Sequence, residues 1–292
     1  MKETSLKPKS PAKRRRTFNI RLVTQIFFFS LVSYLALGKN LAERIPGWEF
    51  LPDVSLHSIC PFGGVVTLYS LITDGSYIQR IHASSVILAG LAVILSILFG
   101  PVLCGWICPL GSLQDWVSNL GRRLMGKRYN HLIPVQMDKI LRQLRYGLLA
   151  WVIYVTAVAG KLVFESIDPY YALFNFWTGE VAIGGLVILG ITLVLSLFVA
   201  RPWCKYACPY GALLGLFNKI RIFTIHRQAS SCVSCNRCNR DCLMNIAVAT
   251  AGAVRDTQCI SCLECTSDRS CPVPETVTIE LLPEAFNKAR NT

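Results

Sequence analysis

Residues 232–271 decide how this sequence folds. They read Cys232-Val-Ser-Cys235-Asn-Arg-Cys238-Asn-Arg-Asp-Cys242 and, further on, Cys259-Ile-Ser-Cys262-Leu-Glu-Cys265-Thr-Ser-Asp-Arg-Ser-Cys271-Pro272. Eight of the thirteen cysteines of the chain fall in this stretch. Each run places three cysteines at two-residue intervals and a fourth a few residues later. Three thiolates at that spacing can wrap one inorganic centre from a single loop. The fourth, arriving from elsewhere, ties the fold around it.

This is the ligand pattern with which bacterial ferredoxins hold two [4Fe–4S] clusters, the fourth cysteine of each run serving the other cluster. It assigns Cys232, Cys235, Cys238 and Cys271 to one cluster and Cys259, Cys262, Cys265 and Cys242 to the second. Paired Cys-x-x-Cys motifs also bind zinc or form disulfide frameworks. Zinc gains nothing from the third cysteine step, and disulfides do not suit the reducing compartment argued below. Two departures stand out. Leu243 occupies the place where the pattern expects proline, and Thr266–Ser270 forms an insertion before Cys271.

Working outward, the chain of 292 residues is 52% hydrophobic with a mean hydropathy of +0.43, too apolar for an ordinary soluble domain. A net charge of +13 raises nucleic acid as a partner. The basic residues sit beside apolar spans rather than on one soluble face with recognition motifs, which argues against it. The reading is a membrane protein with a soluble carboxy-terminal part. No cleavable signal peptide is expected, because the basic amino terminus runs straight into a full apolar segment.

In chain order, residues 1–21 form a basic tail containing Lys13, Arg14, Arg15 and Arg16. Four apolar spans follow, at Leu22–Gly38, Ala83–Leu103, Tyr146–Gly160 and Val181–Ala200. The tail carries eight Lys and Arg and the loop between the second and third spans carries seven, against four on the other side. The positive-inside rule then places both termini in the cytoplasm, at a bacterial inner membrane. The expected fold is mainly α: a four-helix transmembrane bundle over 22–220, a two-cluster ferredoxin-like α+β domain over 221–282, and a tail over 283–292.

The membrane part repeats. Pro101-Val-Leu-Cys104-Gly-Trp-Ile-Cys108-Pro109-Leu-Gly111 matches Arg201-Pro-Trp-Cys204-Lys-Tyr-Ala-Cys208-Pro209-Tyr-Gly211 at an offset of 100 residues. Each copy follows the second span of a pair, which predicts two helical hairpins related by a pseudo-two-fold axis along the membrane normal. Cys-x-x-x-Cys-Pro sets two thiols on one face if the segment is helical, with proline in the first turn of the next helix. Two readings stand side by side: four buried thiols acting as small apolar side chains, or Cys104, Cys108, Cys204 and Cys208 converging on a further redox centre or redox-active dithiol. After the first copy, Leu113, Val117, Leu120 and Leu124 recur at helical spacing. That stripe suits either the inner membrane surface or packing against the bundle.

Taken together, four spans, two Cys-x-x-x-Cys-Pro motifs and a two-cluster ferredoxin domain resemble, over residues 20–275, the NapH-type family of polytopic quinol dehydrogenase components and the related membrane modules of nitrous oxide reductase regulators and methylamine utilisation proteins. The resemblance implies electron exchange between the quinone pool and a redox partner, either an exported reductase or an iron–sulfur or flavin protein. Cys60-Pro61-Phe-Gly-Gly lies outside that family pattern. For the proton exchange that quinone chemistry needs, the candidates are His57, His82, Glu165, Asp168 and Glu180 near the outer face and His226 near the inner. Alternatives are a maturation or regulatory factor for another metalloenzyme, and a conduit from a cytoplasmic ferredoxin to an outer flavoprotein.

Overall fold

The computed structural model describes residues 16–44, 83–159, 164, 167–176 and 182–281. The candidates His57, Cys60, His82, Glu165 and Glu180 and the expected tail 283–292 lie outside the described residues. The molecule is mainly helical. Four helices occupy the places expected for spans: α1 (Arg16–Arg44), α2 (Ala83–Phe99), α6 (Leu144–Ala159) and α8 (Ile183–Ser196).

Among the described residues only α1 is long and apolar enough to cross a bilayer on its own, through Ile20–Gly38. The apolar helix α2 has 17 residues and α8 has 14. At 1.5 Å per residue these reach about 26 and 21 Å, short of a hydrocarbon core of about 30 Å. Physical punctuation ends them. Gly100, at a φ of 80°, breaks the chain after α2, and the chain turns at Leu197–Ala200 after α8, before the second cysteine motif.

Each cysteine motif folds as a short helix followed by a longer one. In the first copy these are α3 (Val102–Trp106) and α4 (Pro109–Met125); in the second, α9 (Pro202–Tyr206) and α10 (Pro209–Leu216). Between the halves lie α5 (Val135–Leu141) and, before α8, α7 (Pro169–Asn175). Helix α4 packs on α1 and α8, whereas α10 packs on α6 and α2. Each helix that follows a motif thus leans on the first helix of its own half and the second helix of the other half. That exchange is what a pseudo-two-fold relation between the halves would produce.

Helix α4 reverses the usual amphipathic arrangement. Its polar face is buried, with Ser112, Gln114, Asp115 and Ser118 turned inward. Leu120 and Leu124, from the leucine stripe, are 52% and 72% exposed. The sequence pattern left membrane contact and internal packing open for this stripe. Its outer two leucines do not pack inward. Ile87, Ile183 and Val187 on α2 and α8 are likewise exposed.

Residues 221–281 form a small ferredoxin-like unit. A three-stranded antiparallel sheet is ordered β2 (Ala253–Val254), β1 (Phe223–Arg227), β3 (Val277–Leu281), with Ile225 opposite Val254 on one side and Ile279 on the other. One short helix, α11 (Arg237–Asp241), follows the first cysteine loop. The core of this unit is shared between cysteines and aliphatics: Ile225, Met244, Ile246, Val248 and Val254 pack with Cys238, Cys242, Cys259 and Cys265.

Candidate functional site

The two cysteine loops share one backbone trace. Ser234 and Asn236 in the first, and Ser261 and Leu263 in the second, all have φ between 49° and 58°. These are equivalent positions, each following the same cysteine at the same offset. Non-glycine residues hold this left-handed conformation only at a cost that the surroundings must offset. Such turns aim successive backbone N–H groups into a concavity of the kind that receives anionic and iron–sulfur groups. The loop backbones therefore fit an iron–sulfur cluster.

The thiols fall into two neighbourhoods. Cys242, Cys259, Cys262 and Cys265 line one cavity, otherwise walled by Ile225, Met244, Ile246, Val248, Val254, Ile260, Leu263 and Glu264. Burial, then the nearby Cys262, pushes the Cys242 thiol up to about 12, although the Ile246 N–H bonds its Sγ at 3.4 Å. Cys265 is raised well above the ordinary range by burial and by Cys262, Cys242 and Cys259. In the other group, burial raises Cys238 and Cys271, and Cys235 adds to both. Cys235 is exposed, and Cys232 is lowered by the Ser234 N–H and by Arg227. Buried thiols so disfavoured as anions become thiolates only beside a cationic centre. None of the twelve described cysteines is in a disulfide.

A third group of thiols lies at the paired motifs. Cys108 and Cys208 are the N-cap residues of α4 and α10, with Pro109 and Pro209 opening those helices as the motif predicts. The two cysteines of each copy do not share one helix, because Cys104 and Cys204 sit in the separate helices α3 and α9. Their charges influence one another across the two halves. Burial, then Cys108 and Cys204, raises Cys104; burial, then Cys204 and Cys104, raises Cys208. The Gly211 N–H donates to Cys208 Sγ at 3.3 Å, and Gln114 Nε2 to Cys204 Sγ at 3.5 Å.

Two buried ionic clusters frame this group, and sequence reasoning missed both. Asp115 accepts from Arg201 Nε at 2.7 Å, from Gln25 Nε2 at 2.9 Å and from Arg21. Burial alone would raise the Asp115 carboxyl, but Arg201 and Arg21 hold it below the usual carboxylate range. The same arginines reach the first motif, Arg201 donating to the Cys104 carbonyl and Arg21 Nε to the Gly105 carbonyl at 3.2 Å. Around the second motif, Asp138 pairs with Lys205 Nζ at 2.8 Å, with Arg142, and with the Tyr206 hydroxyl at 2.6 Å. The available signal was Lys205 inside the second Cys-x-x-x-Cys, and Asp115 as the only acid between Gly100 and Met137, opposite the leucine stripe.

The motifs abut the second cysteine loop directly. A methyl group at Gly105 would collide with the Ile260 carbonyl oxygen, and one at Gly215 with that of Thr257. Trp106 Nε1 donates to the Ser261 carbonyl at 3.0 Å, and Asn218 Nδ2 to that of Cys259 at 2.7 Å. Arg221 reaches Ser261 Oγ at 3.3 Å and Cys259 Sγ at 3.6 Å. Arg145 binds Gln258 and Thr257. Of the remaining candidates, Asp168 caps α7 by accepting from the Tyr170 N–H at 3.0 Å, and His226 lies in β1 opposite Ala253 and Thr278. The Asp168 carboxylate also acts on the Cys108 thiol, which burial raises above its ordinary range.

Comparison with known proteins bears on the same segments. The family model for a 4Fe–4S binding domain matches residues 81–128 and again 181–227, at the 100-residue offset of the repeat. Those segments contain Cys104, Cys108, Cys204 and Cys208. YccM of Escherichia coli is 32% identical over 78% of this chain and 64% of its own length. An uncharacterized protein of Methanocaldococcus jannaschii is 32% identical over 75% of this chain and 87% of its own length. The ferredoxin-type protein NapH of Haemophilus influenzae is 34% identical over 59% and 58%. No solved structure matches the chain.

Proposed function

The chain belongs to the NapH/NosR family of ferredoxin-type iron–sulfur electron-transfer proteins, and from that premise we propose that it is an integral membrane subunit exchanging electrons between the quinone pool and a redox protein partner. The observation that carries the reading is the contact between the paired motifs and the Cys259–Cys265 loop at Gly105, Trp106 and Asn218. It supports a reading with three groups of thiols in series: Cys104, Cys108, Cys204 and Cys208; then Cys242, Cys259, Cys262 and Cys265; then Cys232, Cys235, Cys238 and Cys271.

In this proposal the second and third groups each hold a [4Fe–4S] cluster and the first holds a further redox centre. Such clusters supply one-electron transfer, with potentials set by hydrogen bonds, net charge and exposure. The residues of the chain then have distinct tasks. Ile246, Gly211 and Arg221 donate to sulfurs, which favours the anionic thiolate. The Asp115 and Asp138 clusters fix the motif loops. Exposed Cys235 marks the edge where a soluble partner would exchange electrons.

The membrane role rests on α1 and on the outward apolar faces of α2, α4 and α8. With the excess of Lys and Arg counted above, this favours four helices crossing the inner membrane and both termini in the cytoplasm. The domain division proposed is a basic tail to residue 21, a membrane unit to 220 and a cluster-bearing unit to 282. Iron and acid-labile sulfide counts on the purified chain test the ligand sets. Serine at Cys259 or Cys238 should each remove about one cluster's worth of iron, and serine at Cys104 and Cys204 together should remove iron beyond the two clusters. Unchanged iron and sulfide in the latter variant would withdraw the third centre.

A further inference from the structure

The two copies of the repeat differ in charge. At the offset of 100 residues Pro101 stands opposite Arg201 and Gly105 opposite Lys205, while Asp115 has Gly215 as its counterpart. The second motif therefore brings two cations that the first lacks, and both are completely buried. Lys205 is committed to Asp138 of α5. Arg201 reaches into the first copy, where it meets Asp115 and the backbone of the first motif.

Several independent restraints hold Arg201 there. Its backbone keeps a φ of 50°, a left-handed conformation that a non-glycine residue retains only where its surroundings over-determine it. Its Nε donates to Asp115 at 2.7 Å, and its terminal nitrogens reach the Cys104 carbonyl and, at 3.4 Å, the Gly105 carbonyl. Gly111 leaves room for the guanidinium, since a methyl group there would lie 2.9 Å from Nη1. Gly105 in turn lies against Cys262, whose Cα would be 3.4 Å from a methyl group at that position. The guanidinium thus sits on the backbone joint where the first motif meets the buried cysteine loop. Its charge acts on Cys104, Cys108 and Cys204, and it is coupled to Cys262 across the joint. Asp115 does not cancel it, because that carboxylate is shared with Arg21. Glu264 lies 3.9 Å from Arg21. A guanidinium keeps its proton at any working pH, so this charge is permanent.

Reduction of an iron–sulfur centre adds the negative charge of one electron, and a fixed cation close by stabilises the reduced form more than the oxidised one. We propose that Arg201 is a positioning residue for electron transfer: its fixed charge at this joint raises the reduction potential of the centre held by Cys242, Cys259, Cys262 and Cys265, and leaves the centre held by Cys232, Cys235, Cys238 and Cys271 unmoved. The inference rests on the two-cluster reading proposed above and adds the residue that sets the two potentials apart.

The test is an EPR-monitored redox titration of the purified, cluster-loaded chain, run at low temperature so that weakened variants stay folded. The signal missing in Cys259→Ser identifies the buried centre, and the signal missing in Cys238→Ser identifies the other. Arg201→Gln leaves Arg21 and Gln25 on Asp115. It is expected to lower the reduced-to-oxidised ratio of the buried centre about tenfold at a given potential, equivalent to about 59 mV for one electron. Arg201→Lys, which keeps the charge, should restore most of that loss. Asp115→Asn, which removes the opposing charge, should shift the buried centre upward. A role confined to holding the loop would shift it in the same sense in Arg201→Gln and Asp115→Asn. Unchanged potentials in Arg201→Gln, or equal shifts at both centres, would overturn the inference while leaving the clusters in place. Should Arg201→Gln fail to load, the sign in Asp115→Asn decides: an upward shift supports the inference, and no shift or a downward one overturns it. Absence of both [4Fe–4S] signals from the unaltered chain would withdraw the cluster reading and the inference with it.

Discussion

Asp115 shows how single residues hold the thiols in place. It is buried against two arginines, and Arg201 itself is completely buried. Removing one member of such a cluster leaves an uncompensated charge, at a cost of about 3–5 kcal/mol. Asp115→Asn is therefore expected to lower the melting temperature of the detergent-solubilised protein by well over 5 °C, and Asp138→Asn to act the same way around the second motif. Both carboxyls titrate below their ordinary range because their cationic partners outweigh burial. A depressed folded value means that the stabilisation is complete above the unfolded carboxyl value near 4 and is lost as pH falls through the folded value. Thermal unfolding followed from pH 6 to pH 3 should show stability declining below about pH 4, and the decline should be shallower in Asp115→Asn. An equal decline in both would mean that Asp115 carries no such linkage.

At the scale of elements, the close contacts of α3 and α10 with the Thr257–Cys262 loop make glycine necessary. Gly105→Val must push the Ile260 carbonyl away and part the first motif from the second cysteine loop. Overpacking of this kind costs about 1–3 kcal/mol. The expected phenotype is specific: clusters still reducible by dithionite, but quinol-driven reduction slowed at least tenfold in stopped-flow absorbance. The outward leucines of α4 allow an independent check. A spin label at position 124 should respond to lipid-soluble oxygen more than to an aqueous nickel chelate; the reverse order would place α4 in water.

This scale also separates what the sequence made legible from what it hid. The two cysteine runs announced the ferredoxin-like unit, because ligand spacing is local and the same trace recurs at Ser234–Asn236 and Ser261–Leu263. The repeat was legible because Pro109 and Pro209 start helices wherever they occur in such a motif. Helix ends were read too far. Apolar composition continues through Gly100 and Leu197, where backbone geometry ends α2 and α8. The hidden part was long-range pairing. Nothing local couples Arg201 to Asp115, Lys205 to Asp138 or Asn218 to Cys259, and an acid on a helix face reads as solvated until its partner is seen. Asp168, singled out as a proton-exchange candidate, also caps a helix, a role that its place before Pro169 made readable.

Across the whole molecule, the helical unit and the ferredoxin-like unit form one interlocked body rather than a carrier on a tether. Hydrogen bonds from Trp106, Asn130, Arg145 and Asn218 join them. The buried thiol group faces the helices, and the partly exposed group faces outward at Cys235. That polarity is what a relay between a lipid-borne donor and a soluble partner requires. It also predicts that the partner's electron-transfer rate will respond to substitutions around Cys235, such as Val233→Asp, and not to substitutions at the outward leucines of α4.

The most direct measurement is EPR of the purified, cluster-loaded chain titrated with a reduced short-tail quinone. Proportionate growth of reduced [4Fe–4S] signals as quinol is added, developing at least tenfold more slowly in Gly105→Val while dithionite still develops them fully, is the expected result. Clusters that dithionite reduces fully but that stay silent at every quinol concentration would contradict electron exchange with the quinone pool.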